Sequence, residues 1–199
     1  MTRLENIPVD TLEGEAKDLF DRIVGGARGK DRPLSDFVNE DGGLRGPFNP
    51  LLYTPEIGNV SQALGEKIRF RSSLSDAVRE IAILTVAAYW RADYEWFAHA
   101  KIARNIGVNE QILSTIKDQR AIPLEGDDAV LGKTQKFILE LLERQRVSDE
   151  TFDSAKESVG EAGVVELVLL FGYYTLISAT LNTFEIPLPE GEVSPFDEG

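Results

Sequence analysis

A lone histidine and the glutamate one helical turn before it are the side chains of this sequence best suited to acid–base chemistry. His99 is the only histidine in the chain, and Glu95 precedes it by four positions within "DYEWFAHAKIARNIGV". Residues spaced i, i+4 share one face of a helix, so the carboxylate and the imidazole can meet. A neighbouring carboxylate favours the imidazolium and can fix the tautomer, which suits proton transfer near neutral pH.

A second carboxylate can join this pair from the preceding predicted helix, which opens at "SDAVREIAIL". If the two helices pack as neighbours around the turn at Arg91, Glu80 reaches the same pocket. Arg79 and Arg91 then lie close enough in sequence to supply cations. The pattern therefore predicts a constellation of two carboxylates, one imidazole and two possible cations.

Spacing alone leaves two other interpretations of these residues open. A single histidine on a mostly apolar helix is usually packed and hydrogen-bonded within a core. Alternatively, Glu80, Glu95 and His99 could bind iron or manganese, although HExxH and a second histidine are absent. The sequence contains no GxGxxG, no GxxxxGK[ST] and no GxSxG nucleophile elbow.

Aromatic residues cluster around the histidine in the sequence. They are more typical of a helical core than of a base-stacking surface, but they can also wall a small apolar pocket. The cluster consists of Tyr89, Trp90, Tyr94, Trp96 and Phe97.

Composition restricts the class of protein. The formal charge of −13 makes nucleic acid an unsuitable partner, because phosphate backbones require Lys and Arg. Cysteine is absent, so disulfides, thiolate nucleophiles and zinc–thiolate sites are excluded. The first 20 residues have no apolar core of signal-peptide length, and we expect a cytoplasmic protein.

The longest uncharged stretch runs from residue 167 to residue 184, "LVLLFGYYTLISATLNTF". Its length is at the lower limit for a membrane span. However, it contains Gly172, Ser178 and Asn182, and glutamates rather than Lys or Arg flank it. We therefore predict a buried helix, central or at a subunit interface, and no membrane association.

Apolar residues recur at helical spacing nearly everywhere, and no segment alternates with a period of two. The sequence thus predicts an all-α fold, with Ser75 as the N-cap of one helix. Residues 1–45 form a first helix and a long, Gly-rich arm. Residues 46–185 form the helical domain, and residues 186–199 form an acidic, Pro-rich tail that we expect to be an extended arm.

The segment "SDAVREIAILTVAAYWRADYEWFAHAKIARNIGVNEQIL" resembles the carboxymuconolactone decarboxylase family, which includes the alkylhydroperoxidase-type peroxidases. The shared pattern is R-E-[IL], then E-W-x-x-H, then an A-x-x-x-G ending. Upstream "GPFNPLLYTPEIG" resembles the family's entry segment, and downstream "ELVLLFGYYTLISATLN" resembles its final buried helix. The resemblance covers about residues 46–184.

This resemblance implies an alkylhydroperoxidase-like helical bundle that assembles as trimers or hexamers, with pockets at or near subunit interfaces. The family's peroxidase branch carries Cys-x-x-Cys, and its histidine lies four residues after the second cysteine. Aligned on His99, the two cysteines correspond to Ala92 and Glu95, so dithiol peroxide reduction is excluded. The relay glutamate of that branch corresponds to Glu80. The decarboxylase branch, which keeps Glu-Trp-x-x-His, fits better.

The resemblance also implies a function: a decarboxylase-like lyase or isomerase acting on a small unsaturated acid or lactone, without a cofactor. His99 would act as the proton donor or as an electrophile, Glu95 would orient the imidazole, and Glu80 would relay or accept a proton. Arg79 or Arg91 would hold a substrate carboxylate. The remaining substrate-binding candidates are Tyr94, Trp96 and Phe48. The alternatives are a non-catalytic helical oligomer that binds a small apolar ligand, or a metal-dependent Glu/Glu/His enzyme.

Overall fold

Residues 2–30 and 32–196 are described by the computed structural model, and their regular secondary structure is helical, as predicted. A single isolated antiparallel bridge joins Val38 and Leu44. Two short 3-10 helices span Val9–Thr11 and Leu34–Asp36. The α-helices of the described residues are α1 (Gly14–Gly25), α2 (Phe48–Leu52), α3 (Pro55–Phe70), α4 (Asp76–Tyr89), α5 (Asp93–Asn105), α6 (Glu110–Lys117), α7 (Ala129–Arg144) and α8 (Asp149–Thr183).

The chain forms two compact units. The first unit comprises the described residues of Met1–Arg71 together with Thr180–Pro187, and the second comprises Ser72–Ala179 together with the described residues of Leu188–Gly199. The segment boundaries expected from sequence, after residues 45 and 185, stay predictions.

The first unit has its own apolar core, in which α1, α2 and α3 pack on one another. Leu19 and Ile23 of α1 are fully buried, and Phe37 and Leu44 join them from the predicted arm. The side chain of Asn49 ties down the chain before α1. Its Oδ1 accepts from the Ile7 amide at 2.9 Å, and its Nδ2 donates to the Glu5 carbonyl at 3.0 Å. The predicted arm is thus anchored by buried side chains.

The second unit is built around α4, which packs against α5, α6 and α7. Ser75 is its N-cap, as predicted, and the Ser75 hydroxyl accepts from the Val78 amide at 3.3 Å. From Glu80 to Ala88 every residue of α4 is buried. A helix buried on all sides must satisfy any polar side chain from its neighbours, and Glu80 is the only charged residue in that stretch.

A three-residue turn joins α4 to α5. Arg91 adopts a left-handed backbone conformation there, with φ of 48°. The amide of Ala92 donates to the Ala87 carbonyl at 2.9 Å, which closes the turn. Short connections of this kind make consecutive helices antiparallel neighbours. Residues late in one helix and early in the next therefore face each other.

The longest helix, α8, is interrupted at Gly160, whose φ of 74° and ψ of 171° are not helical. By length and composition α8 is the one helix among the described residues that could cross a membrane, with a mean hydropathy of 1.8. This hydropathy applies to an 18-residue window of α8, of which 44% is buried. The core helix of a soluble protein gives the same signal, so the membrane evidence is weak.

Residues 184–196, the described part of the chain after α8, contain no helix, as the composition of the tail predicts. The expectation of an extended arm is nevertheless wrong for its far end. Phe196 is only 7% exposed and belongs to the core of the second unit. An aromatic side chain that can bury its ring against other apolar residues holds the segment in place.

Candidate active site

The buried face of α5 carries the predicted acid–base pair. Glu95 and His99 are buried one turn apart, and Trp96, Ala100 and Ala103 are buried with them. Because the apolar members of this face pack toward α4, the two polar members are carried into the interior as well.

The imidazole of His99 lies between two carboxylates. Its Nδ1 is 2.6 Å from Oε2 of Glu80, and its Nε2 is 3.1 Å from Oε1 of Glu95. Relative exposures are 4% for His99, 2% for Glu80 and 4% for Glu95. We call these residues the Glu–His–Glu triad. Helix α4 supplies one carboxylate, and α5 supplies the other together with the imidazole.

The surroundings of His99 raise its pKa above the ordinary value. Burial acts in the opposite direction, since it disfavours the charged ring, but the charges and hydrogen bonds of Glu80 and Glu95 outweigh burial. The two carboxylates thus favour the protonated ring, which can donate one N–H to each of them.

Tyr174 of α8 covers the imidazole. Its ring meets the His99 ring edge to face, with centroids 5.2 Å apart and an interplanar angle of 86°. Tyr173 packs on Tyr174 in the same manner at 5.3 Å. The sequence analysis did not select Tyr174. The signal was the pair of adjacent tyrosines within an uncharged helical stretch, where each hydroxyl needs a polar neighbour.

The two candidate arginines are engaged elsewhere. Arg79 donates to the Leu74 carbonyl at 3.3 Å and pairs with Asp76. Arg91 donates to the Phe196 carbonyl, and its guanidinium lies 5.8 Å from the centre of the Phe196 ring. The structure shows no ion pair between either arginine and the described triad. Their assignment to substrate binding stays a prediction.

The aromatic candidates divide among different neighbours. Trp96 is buried, and its ring meets Phe196 at 5.5 Å. Tyr94 is half-buried and meets Phe97 at 6.3 Å. Phe48 opens α2 in the first unit, where the guanidinium of Arg28 lies 5.4 Å from its ring. No role in substrate binding follows from these contacts, and their assignment to a pocket stays a prediction.

The triad does not have the geometry of a metal site. Glu80 and Glu95 lie at opposite nitrogens of the ring, whereas a metal on one nitrogen needs further ligands converging on that same side. In the described ranges no group of three His, Asp or Glu side chains is arranged to hold a metal ion. The alternative of a Glu/Glu/His metal enzyme therefore loses its structural support.

Comparison with known proteins assigns the segment that contains the triad. Residues 55–131, which include all of α3 to α6, match the carboxymuconolactone decarboxylase family. The recognition from sequence is thereby confirmed for this segment, and the chain lacks thiols at positions 92 and 95. No curated protein matches the chain.

Solved structures share the fold of this chain. The alkylhydroperoxidase AhpD core of an uncharacterized peroxidase-related protein from Ralstonia eutropha JMP134 gives a TM-score of 0.73 at 15% identity, over 98% of this chain and 94% of that chain. An uncharacterized peroxidase-related protein from Silicibacter sp. TM1040 gives 0.70 at 13% identity, over 94% and 91%. A protein of unknown function from Agrobacterium tumefaciens gives 0.60 at 17%, over 71% and 96%. These identities support the AhpD-like fold and nothing finer.

Proposed function

We propose that this protein is an acid–base enzyme, a decarboxylase-like lyase or isomerase that acts on a small unsaturated lactone or acid. The observation that carries the proposal is the imidazole of His99 held at both nitrogens by buried carboxylates. Catalysis of this kind needs a proton donor poised near neutral pH in a site from which water is excluded. The match of residues 55–131 to the carboxymuconolactone decarboxylase family supports the reaction class.

In this proposal His99 gives its Nε2 proton to a substrate carbon. The Glu95 contact at 3.1 Å is longer than the Glu80 contact at 2.6 Å, so Glu95 is the carboxylate that a substrate displaces. When a carbon–carbon bond to a carboxylate breaks, its electrons form a dienolate and carbon dioxide leaves. The Nε2 proton then moves to the dienolate carbon, and His99 becomes neutral. The Nδ1 proton stays on His99 and remains hydrogen-bonded to Glu80 throughout. The proton that restores Nε2 comes from solvent.

The charge of the site restricts the class of substrate that it can bind. Two carboxylates flank the imidazole, and Arg79 and Arg91 each pair with another acceptor. A dianionic acid would be repelled at such a site. A lactone with at most one carboxylate, oriented away from the triad, is the better match.

A screen of lactones and unsaturated acids, followed by ultraviolet absorbance and released carbon dioxide, tests this proposal. His99→Gln should abolish turnover, and Glu80→Gln should reduce it, while both variants retain their far-ultraviolet circular dichroism. Glu161→Gln is the matched control, because the Glu161 side chain is 78% exposed in the same unit. Full turnover in folded His99→Gln would contradict the assigned role.

One observation favours a second function, the non-catalytic one. Both nitrogens of His99 are engaged and its ring is almost fully buried, which is also how a structural core histidine is held. In that case the protein is a helical scaffold that binds a small apolar ligand. Thermal shift assays against the same compounds separate the two. Stabilisation by a ligand without conversion, in wild type and in His99→Gln alike, indicates binding alone.

We also propose that the chain forms a homo-oligomer in the cytoplasm, with a trimer or hexamer as the expected state. An apolar stripe on the outer face of α8 supports the assembly, since large exposed apolar patches mark interaction sites. Its residues are between 45% and 59% exposed: Val165, Val168, Leu169 and Leu176. Leu169→Asp should reduce the mass measured by light scattering after gel filtration. An unchanged mass would remove this support.

A further inference from the structure

The tail returns to the helix that carries two members of the triad. Ser194 donates its hydroxyl proton to Oδ1 of Asp93 at 2.7 Å, and the amide of Phe196 donates to the Ser194 hydroxyl oxygen at 3.2 Å. Arg91 donates to the Phe196 carbonyl. Two hydrogen bonds therefore link the tail to the turn before α5 and to the first residue of α5, and a third braces the tail internally.

The ring of Phe196 completes this attachment. It is buried and meets the Trp96 ring at 5.5 Å with an interplanar angle of 71°. The guanidinium of Arg91 lies 5.8 Å from the centre of the Phe196 ring. Aromatic and cation–π contacts of this kind add to the apolar area that the ring buries. The tail thus contacts three residues of the segment 91–96, namely Arg91, Asp93 and Trp96. Glu95 lies within this segment.

The start of α5 needs such an anchor. Its N-cap position is Ala92, which has no side-chain acceptor for the free amides of the first turn. Glu95 belongs to this first turn, whereas His99 lies a full turn further into the helix. Fraying of the first turn would move Glu95 away from Nε2 of His99 and would leave Glu80, on α4, in place.

We propose that the segment Ser194–Phe196 is a positioning element that keeps Glu95 on Nε2 of His99. Its importance for turnover rests on the proposed function, whereas its effect on the ionisation of His99 does not. The tail acts through the first turn of α5 and is assigned no contact with substrate.

The test uses His99 as its own reporter. Because it is the only histidine, the imidazole nitrogen resonances of the labelled protein need no further assignment. A Phe196→Ala chain, and separately a Ser194→Ala chain, should show a lower titration midpoint for His99 than wild type. The Nε2 resonance should change more than the Nδ1 resonance. Val193→Ala is the control, since Val193 is 84% exposed, and it should leave both resonances unchanged.

Ser194→Ala keeps the proposal testable if Phe196→Ala does not fold, because it removes one hydroxyl and no buried ring. A wild-type midpoint and wild-type Nε2 resonance in folded Ser194→Ala and folded Phe196→Ala would overturn the proposal. An equal change at both nitrogens would also overturn it, since that indicates a general loosening of the core. If the midpoint falls as expected while no compound is turned over by wild type, the positioning role stands and the proposed function fails.

Discussion

The contact between Glu80 and His99 makes a quantitative prediction about stability. Both side chains are almost fully buried, and their atoms are 2.6 Å apart. A hydrogen bond to a charged group contributes roughly 1.5–3 kcal/mol. Glu80→Gln keeps the size of the side chain and removes its charge, so we expect the free energy of unfolding to fall by about that amount at pH 6. The pKa of His99 should fall in the same variant.

The pH dependence of this stabilisation follows from the raised pKa of His99. Burial lowers that pKa, but the two carboxylates raise it by more. A group whose folded pKa is raised contributes its full stabilisation below the unfolded pKa, which is about 6.5 for histidine. This contribution is lost as the pH rises through the folded pKa. The difference in the free energy of unfolding between wild type and Glu80→Gln should therefore be largest at pH 6 and should shrink at alkaline pH.

The assay is urea unfolding at a fixed protein concentration, because oligomer formation would otherwise change the apparent stability. The emission of the two tryptophans follows the transition. A double-mutant cycle with Glu80→Gln and His99→Gln isolates the pairwise energy, and Glu161→Gln serves as the exposed control. A coupling below about 0.5 kcal/mol at pH 6, the usual limit of additivity, would refute this reasoning, and so would a coupling that grows with pH.

Two further variants examine features of the second unit. Gly160→Ala should lower the free energy of unfolding by about 1–3 kcal/mol, because its φ of 74° and ψ of 171° suit glycine alone. A Cβ would meet no atom within 4 Å at Gly160 or at Gly172, so Gly172→Ala is a matched change that should stabilise by about 0.5–1 kcal/mol; equal effects in urea unfolding would contradict the backbone explanation. Glu166 accepts hydrogen bonds on Oε2 from the Ser72 hydroxyl at 2.7 Å and from the Ser73 amide at 2.9 Å. Burial raises the pKa of Glu166, but these bonds prevail and lower it, so its stabilisation is present above the ordinary pKa and is lost on acidification. Glu166→Gln should therefore flatten the acid limb of stability against pH, as circular dichroism can measure, and an unchanged limb would show that this contact contributes little.

Local rules explain what the sequence could predict. Helical periodicity placed α4 and α5, and the serine at position 75 predicted the N-cap correctly, because both signals depend on residues within one or two turns. The shared face of Glu95 and His99 follows from the same periodicity. The approach of Glu80 also became predictable, because a short turn leaves neighbouring helices few arrangements.

Contacts between distant segments were beyond such rules. Arg91 donates to the Phe196 carbonyl across 105 positions of sequence, and choosing that acceptor among several requires coordinates. Tyr174 reaches His99 across 75 positions of sequence, and nothing local to either residue indicates that contact. Phe196 lies in a segment whose composition is typical of a solvated arm. The composition of its neighbours therefore predicted an exposed segment, although the Phe196 ring is buried.

Shielding of the lone imidazole has a practical consequence. A reagent that acylates imidazole nitrogens can reach His99 only while the packing around it is open, because both nitrogens are engaged and the ring is covered. With no cysteine to compete for the reagent, the modification rate at His99 reports how often this part of the interior opens. The protein thus carries a built-in measure of its own local unfolding, which needs neither a substrate nor an attached label.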